Sequence, residues 1–179
     1  MRLPDITAIA VLRELNDKWQ QRYSLLAQLR FSDWVSWDRR NTISGIDRVG
    51  VYVLAKCGAT EMTRQADQLD EKVIYVGKTN IGSTTNLRNR LSAFDRTAFR
   101  DGSGHAGGHS YRQKFGTVQD GLRVSVCPIY WSGDSKGLDG RDLDIYWQVQ
   151  TLQVVTQMET CLRGVHVLKW GRLPVLNKE

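Results

Sequence analysis

Two tyrosines, an arginine and a glutamate have the types and spacing to do chemistry together. Tyr52 and Tyr75 sit at like positions in two short apolar runs, as Gly50-Val51-Tyr52 and Tyr75-Val76-Gly77. Arg90 follows in the pattern LRNRL, and Glu159 comes late among Val155, Met158, Leu162 and Val165. A carboxylate at the edge of an apolar surface needs a partner or a cation. A phenol beside cations gives up or shares its proton more easily than its reference pKa of ~10 suggests. Residues 72–115 carry eight basic side chains, Lys72, Lys78, Arg88, Arg90, Arg96, Arg100, Arg112 and Lys114, against two acidic ones, Asp95 and Asp101. That segment accounts for the whole net charge of +6, and over the chain Arg outnumbers Lys by 17 to 8. Arginine's planar fork suits phosphate, so phosphate is the expected ligand chemistry. The plainer alternatives are core aromatics, a solvated basic face and a Glu159–Arg163 pair at helical spacing.

These residues need elements to hold them. The stretch 48–57 is β-branched and aromatic, and so is 71–77; both are expected strands, joined locally as an antiparallel hairpin. The polar link between them is long for a hairpin loop. Leu87, Leu91, Phe94 and Ala98 mark one face of a helix. At ~100° per residue, Arg90 and Arg88 fall on opposite shoulders of that face, so they cannot do the same job. DGSGHAGGHS is expected as a glycine-rich loop carrying His105 and His109, followed by a short helical piece. A third strand is expected over 121–131 and a long helix over 143–170, with Pro174 just beyond its end. His166, one heptad from Glu159, is either a satisfied helix histidine or a second ligand.

Ahead of the hairpin, residues 5–30 read as an amphipathic helix with Ala8, Leu12, Leu15, Trp19, Tyr23 and Leu26 on one face and Asp5 as its cap. Trp34 and Trp37 in the next short element are expected in the core. At 179 residues, with 41% apolar and 25% charged side chains, one core is affordable and wholesale disorder is excluded. No apolar run approaches the ~18 residues of a membrane span, and the N-terminus lacks a signal-peptide layout. Cys57, Cys127 and Cys161 are far apart and form no CxxC pair, which argues against disulfides or a zinc site and fits a reducing, cytoplasmic setting.

The series GVY…YVGK…LRNRL…E…LPVLN, over about residues 48–179, resembles the GIY-YIG nuclease domain. Tyr52 corresponds to the first motif tyrosine, and Tyr75 with Gly77 to the second motif. Lys78 matches a lysine found after the second motif in several members. Arg90 matches the family's helix arginine, Glu159 its metal-binding glutamate and Asn177 the asparagine near its end. Where the family often has a His or Tyr one turn after the arginine, this chain has Phe94, and His105 or His109 could stand in from the glycine loop. The resemblance implies a metal-dependent DNA endonuclease, with Mg²⁺ or Mn²⁺ held by Glu159 and a tyrosine-activated water. Its rival is a nucleic-acid-binding module that kept the fold and lost catalysis. Arg88, Arg96, Arg100, Arg112 and Lys114 are the expected DNA contacts. The fold expected is α/β (α+β): a small, mostly antiparallel three-stranded sheet flanked by helices in 48–179, with 1–47 as an added helical layer.

Overall fold

The computed structural model describes residues 30–58, 70–80, 86–129 and 140–177. Four strands form one antiparallel sheet: β1 (Val35–Ser36), β2 (Gly50–Lys56), β3 (Val73–Lys78) and β4 (Leu122–Pro128), in the order β1-β4-β2-β3. The expected hairpin is β2–β3, with Tyr52 opposite Gly77 and Leu54 opposite Tyr75. Three helices complete the fold: α1 (Leu87–Phe99), α2 (Ala106–Phe115) and α3 (Gly140–Trp170).

Alternation along the strands divides the core. Tyr52, Leu54, Ile74, Tyr75, Val124 and Val126 join Leu87, Leu91, Phe94 and Tyr111 on the α1–α2 face. Val51, Val53, Ala55, Val73 and Val76 join Val155, Met158, Leu162 and Val165 of α3 on the other. β2 is buried along nearly its whole length because both faces are covered. The register shifts between Leu54 and Ala55, and the bulge turns Ile74 and Tyr75 into the same cluster.

The sheet has four strands where three were expected. The added strand is Val35–Ser36, pairing Val35 with Val124 and Ser36 with Arg123. Two residues are too few to show the alternation that betrays a strand. A 3₁₀ helix, Trp37–Thr42, follows, so the described part of the expected N-terminal layer is not an α-helix. Trp37 is buried with its ring edge against Phe94, and Trp34 is buried under the α3 face, so both tryptophans are core as expected. The helix expected over 5–30 and most of the β2–β3 connection lie outside the described residues.

DGSGHAGGHS is only half a loop: α2 starts inside it, at Ala106. Gly107 and Gly108 disguise the helix, since each glycine disfavours it by ~1 kcal/mol relative to alanine. Both are there for space. A Cβ on Gly107 would meet the Tyr75 ring at 2.6 Å, and one on Gly108 would meet Thr97 at 2.8 Å. α1 begins at Leu87 behind Asn86, whose side chain accepts from the Asn89 amide. The three cysteines are free and buried. Among the described residues no helix is long and apolar enough to cross a membrane.

Candidate functional site

β3 is one of the two edge strands, so side chains from both faces of the sheet can meet round its side. Tyr75 comes from the α1–α2 face and Glu159 from α3. They line one pocket of 180 Å³ with Ala106, Gly107, Ser110, Arg163, Leu176 and Asn177. A larger recess of 260 Å³ beside β1 and β4, lined by Trp37, Asp38, Asp120 and Arg123 among others, contains none of the predicted site residues.

Glu159 lies between two cations, Lys78 Nζ and Arg163 Nη1, each at 3.9 Å. Both are ion pairs at long range, not tight hydrogen bonds. Lys78 spends its short bond, 2.7 Å, on Thr156 Oγ1. Burial raises the Glu159 carboxyl pKa, and the nearby Lys78, Arg163 and Arg90 only partly oppose it. This carboxylate is under-compensated where it sits.

The tyrosines differ in access. Tyr52 is fully buried; Tyr75 is mostly buried and reaches the pocket. Their rings lie 5.9 Å apart, tilted by 46°. Gly77 makes room for both, because a Cβ there would meet Tyr52 Cζ at 2.5 Å and Tyr75 Cε1 at 2.7 Å. Burial pushes both phenols above their ordinary range, Tyr52 furthest, while the Arg90 charge pulls each down. Arg90 is thus electrically close to Tyr52, Tyr75 and Glu159. Its Nε is buried with no hydrogen-bond partner. A buried donor left unsatisfied costs ~1–3 kcal/mol, and more when charged, unless an acceptor arrives.

His105 is buried; Nε2 lies 2.8 Å from Tyr52 Oη, and Nδ1 accepts from the Gly108 amide at 3.2 Å. Burial first, then the Arg90 charge, lowers its pKa to about 3. Its ring lies 5.2 Å from Phe94, which is itself fully buried. His109 is exposed on α2. Asn177 grips β3 from outside: Oδ1 accepts from the Val76 amide and Nδ2 donates to the Val76 carbonyl, both at 2.8 Å. It positions the strand between Tyr75 and Gly77 and also lines the pocket. His166 is buried, with Nδ1 bonded to the Arg172 carbonyl at 2.8 Å and Nε2 without a hydrogen-bond partner.

The five arginines and lysines expected on DNA are not equivalent. Arg88 forms a two-pronged pair with Asp47 at 2.6 and 3.0 Å. Arg100 pairs with Asp95 at 3.2 Å. Arg112 bonds the carbonyls of Ala98 and Arg100 at the end of α1. Arg96 and Lys114 are exposed on α1 and α2.

Sequence reasoning passed over Thr156, Gly107 and Ser110. Ser110 and Gly107, three apart, share a helix face only once α2 is recognised as a helix.

A single carboxylate suits a cation that keeps most of its water, as Mg²⁺ does. Among the described residues there is no group of three or more His, Cys, Asp or Glu placed to hold a metal ion. Family models, curated proteins and solved structures offer no match to this chain, and what the arrangement can do rests on its own residues.

Proposed function

We propose that the chain is a metal-dependent DNA endonuclease of GIY-YIG type, cleaving phosphodiester bonds at the β3 edge. What carries this reading is the meeting of the Tyr75 phenol and the Glu159 carboxylate in one pocket. Arg90, whose charge acts on Tyr75 and Glu159 alike, adds a cation beside them, though it does not itself line the pocket. Glu159 would hold Mg²⁺ or Mn²⁺, which supplies Lewis acidity at a phosphoryl oxygen when bound. Tyr75 orients the attacking water and shares its proton, with Tyr52 behind it. Arg90 and Lys78 stabilise the charge that builds on the phosphate. Asn177 keeps the Tyr75–Gly77 backbone in place.

The second reading, a binding module without catalysis, draws on one observation. Glu159 already has two cations for company, Lys78 and Arg163.

Incubation with labelled single-stranded, duplex and branched DNA, in Mg²⁺, Mn²⁺ or chelator, separates the two. Cleavage of at least one substrate, dependent on metal, is the expected result. Tyr75→Phe should remove most of it while the protein stays folded. DNA retention with no cleavage in either metal would establish the binding module. If Tyr52→Phe is inactive and Tyr75→Phe is not, the tyrosine roles are exchanged.

A further inference from the structure

His105 has both ring nitrogens engaged. One partner is a backbone N–H, that of Gly108, which can only donate. Nδ1 must therefore be the bare nitrogen, and in a neutral imidazole the proton is then on Nε2. Nε2 in turn faces Tyr52 Oη at 2.8 Å, so the imidazole donates and the phenol oxygen accepts. The Tyr52 hydroxyl proton is left to point elsewhere. The nearest polar aromatic on that side is Tyr75, whose ring lies 5.9 Å away and whose edge reaches the pocket that Tyr52 does not line.

We propose that His105 is a positioning residue: by capping α2 through Nδ1 it is locked in the Nε2–H tautomer, and its donation to Tyr52 turns the Tyr52 hydroxyl towards Tyr75. The fold is built to hold this order. Gly108 supplies the amide and must be glycine to pack on Thr97; Gly107, one residue earlier, lets α2 press on the Tyr75 ring. Phe94 closes the apolar side of the imidazole at 5.2 Å. Electrostatics point the same way. The lowered pKa of His105, from burial first, keeps the ring neutral; burial raises both phenols, and the interaction between them adds to the rise at Tyr52 and opposes it at Tyr75, as a Tyr52 hydroxyl turned towards Tyr75 would. His105 is thus neither a base nor a ligand. It decides which of the two tyrosines accepts from the other, and so which more readily gives up its proton. The consequence for cleavage rests on the nuclease reading; the tautomer does not.

Two variants divide the two ring nitrogens. In His105→Asn, the amide oxygen can still cap Gly108, but nothing reaches Tyr52. In His105→Gln, the longer amide can reach Tyr52 and the cap is weakened. The Asn variant should keep the parent's melting temperature within a few degrees and lose turnover about 10- to 100-fold, with KM for DNA unchanged. The Gln variant should recover part of that turnover. Nitrogen-15 NMR of the parent's imidazole at neutral pH should show Nε2 protonated and Nδ1 bare. A parent-like turnover in the Asn variant reduces His105 to a helix cap and overturns the proposal. So does a parent imidazole that is charged or protonated on Nδ1. If the Asn variant does not fold, the tautomer decides alone. If the parent cleaves no DNA, the nuclease reading fails while the NMR result still tests the locked tautomer.

Discussion

Glu159 is where residue-scale physics is sharpest, because its surroundings favour the neutral form. Burial raises its pKa above the ordinary carboxylate value despite Lys78, Arg163 and Arg90. An acid whose folded pKa lies above its unfolded value stabilises the fold fully below the unfolded pKa of ~4.3. That contribution is lost as pH rises through the folded pKa. At neutral pH the charged Glu159 is therefore a net cost. Glu159→Gln should raise the melting temperature at pH 7, and the difference should vanish below about pH 4. The same variant should lose cleavage in Mg²⁺ and bind DNA in chelator at least as tightly as the parent, since a bare carboxylate repels phosphate. A simple Glu159–Arg163 pair predicts near-normal cleavage and a slight loss of stability. Gel shift, cleavage and melting on one preparation tell these apart. Arg90 differs in kind. Arg90→Ala removes a half-buried cation whose charge acts on both tyrosines, and turnover should fall ~10²–10³-fold at saturating DNA. Arg88→Ala loses an exposed pair with Asp47 and should leave turnover near the parent's. Equal losses would contradict the opposite placement of the two guanidinium groups.

At the scale of elements, α2 does the most that its sequence conceals. Its first turn, Ala-Gly-Gly, looks like a loop, and only packing explains it. Gly107→Ala improves helix propensity by ~1 kcal/mol but drives a methyl into the Tyr75 ring. Overpacking of this kind costs ~1–3 kcal/mol. Stability should therefore fall only slightly, while cleavage falls much further because Tyr75 is displaced. Parent-like turnover with a lowered melting temperature would mean that the ring and the pocket are not coupled. The hairpin and the helix face Leu87–Leu91–Phe94 were legible because their periodicities are strong and local. The Tyr52–Tyr75 adjacency followed from pairing those strands. Neither β1 nor the role of His105 could be read that way. A two-residue strand has no period, and a cap depends on where the next helix starts. Asn177 was legible as a site residue by resemblance alone; its grip on Val76 spans |i−j| = 101 and leaves no local trace.

Over the whole molecule, the charge that sequence spreads across residues 72–115 is sorted by structure into committed and uncommitted cations. Arg88, Arg100 and Arg112 are engaged with Asp47, Asp95 and the carbonyls ending α1. Arg96 and Lys114 project from neighbouring helices that pack on each other. A cation already paired with a carboxylate attracts phosphate less, since the pair is nearly neutral at a distance. Binding to duplex DNA releases counterions at each contacted phosphate, so log K falls with log salt by ~0.9 per contact. Arg96→Ala and Lys114→Ala should each flatten that slope by about this amount, with turnover at saturating DNA unchanged. Arg112→Ala should chiefly lower the melting temperature, because three carbonyl and carboxylate partners of its guanidinium are left behind. Affinities measured between ~50 and ~200 mM salt decide the matter. An affinity indifferent to salt would remove DNA as the ligand. A slope that drops more for Arg88 or Arg112 than for Arg96 would mean that DNA pulls those side chains out of their pairs, and the binding face would then run across the start and end of α1, where those pairs lie.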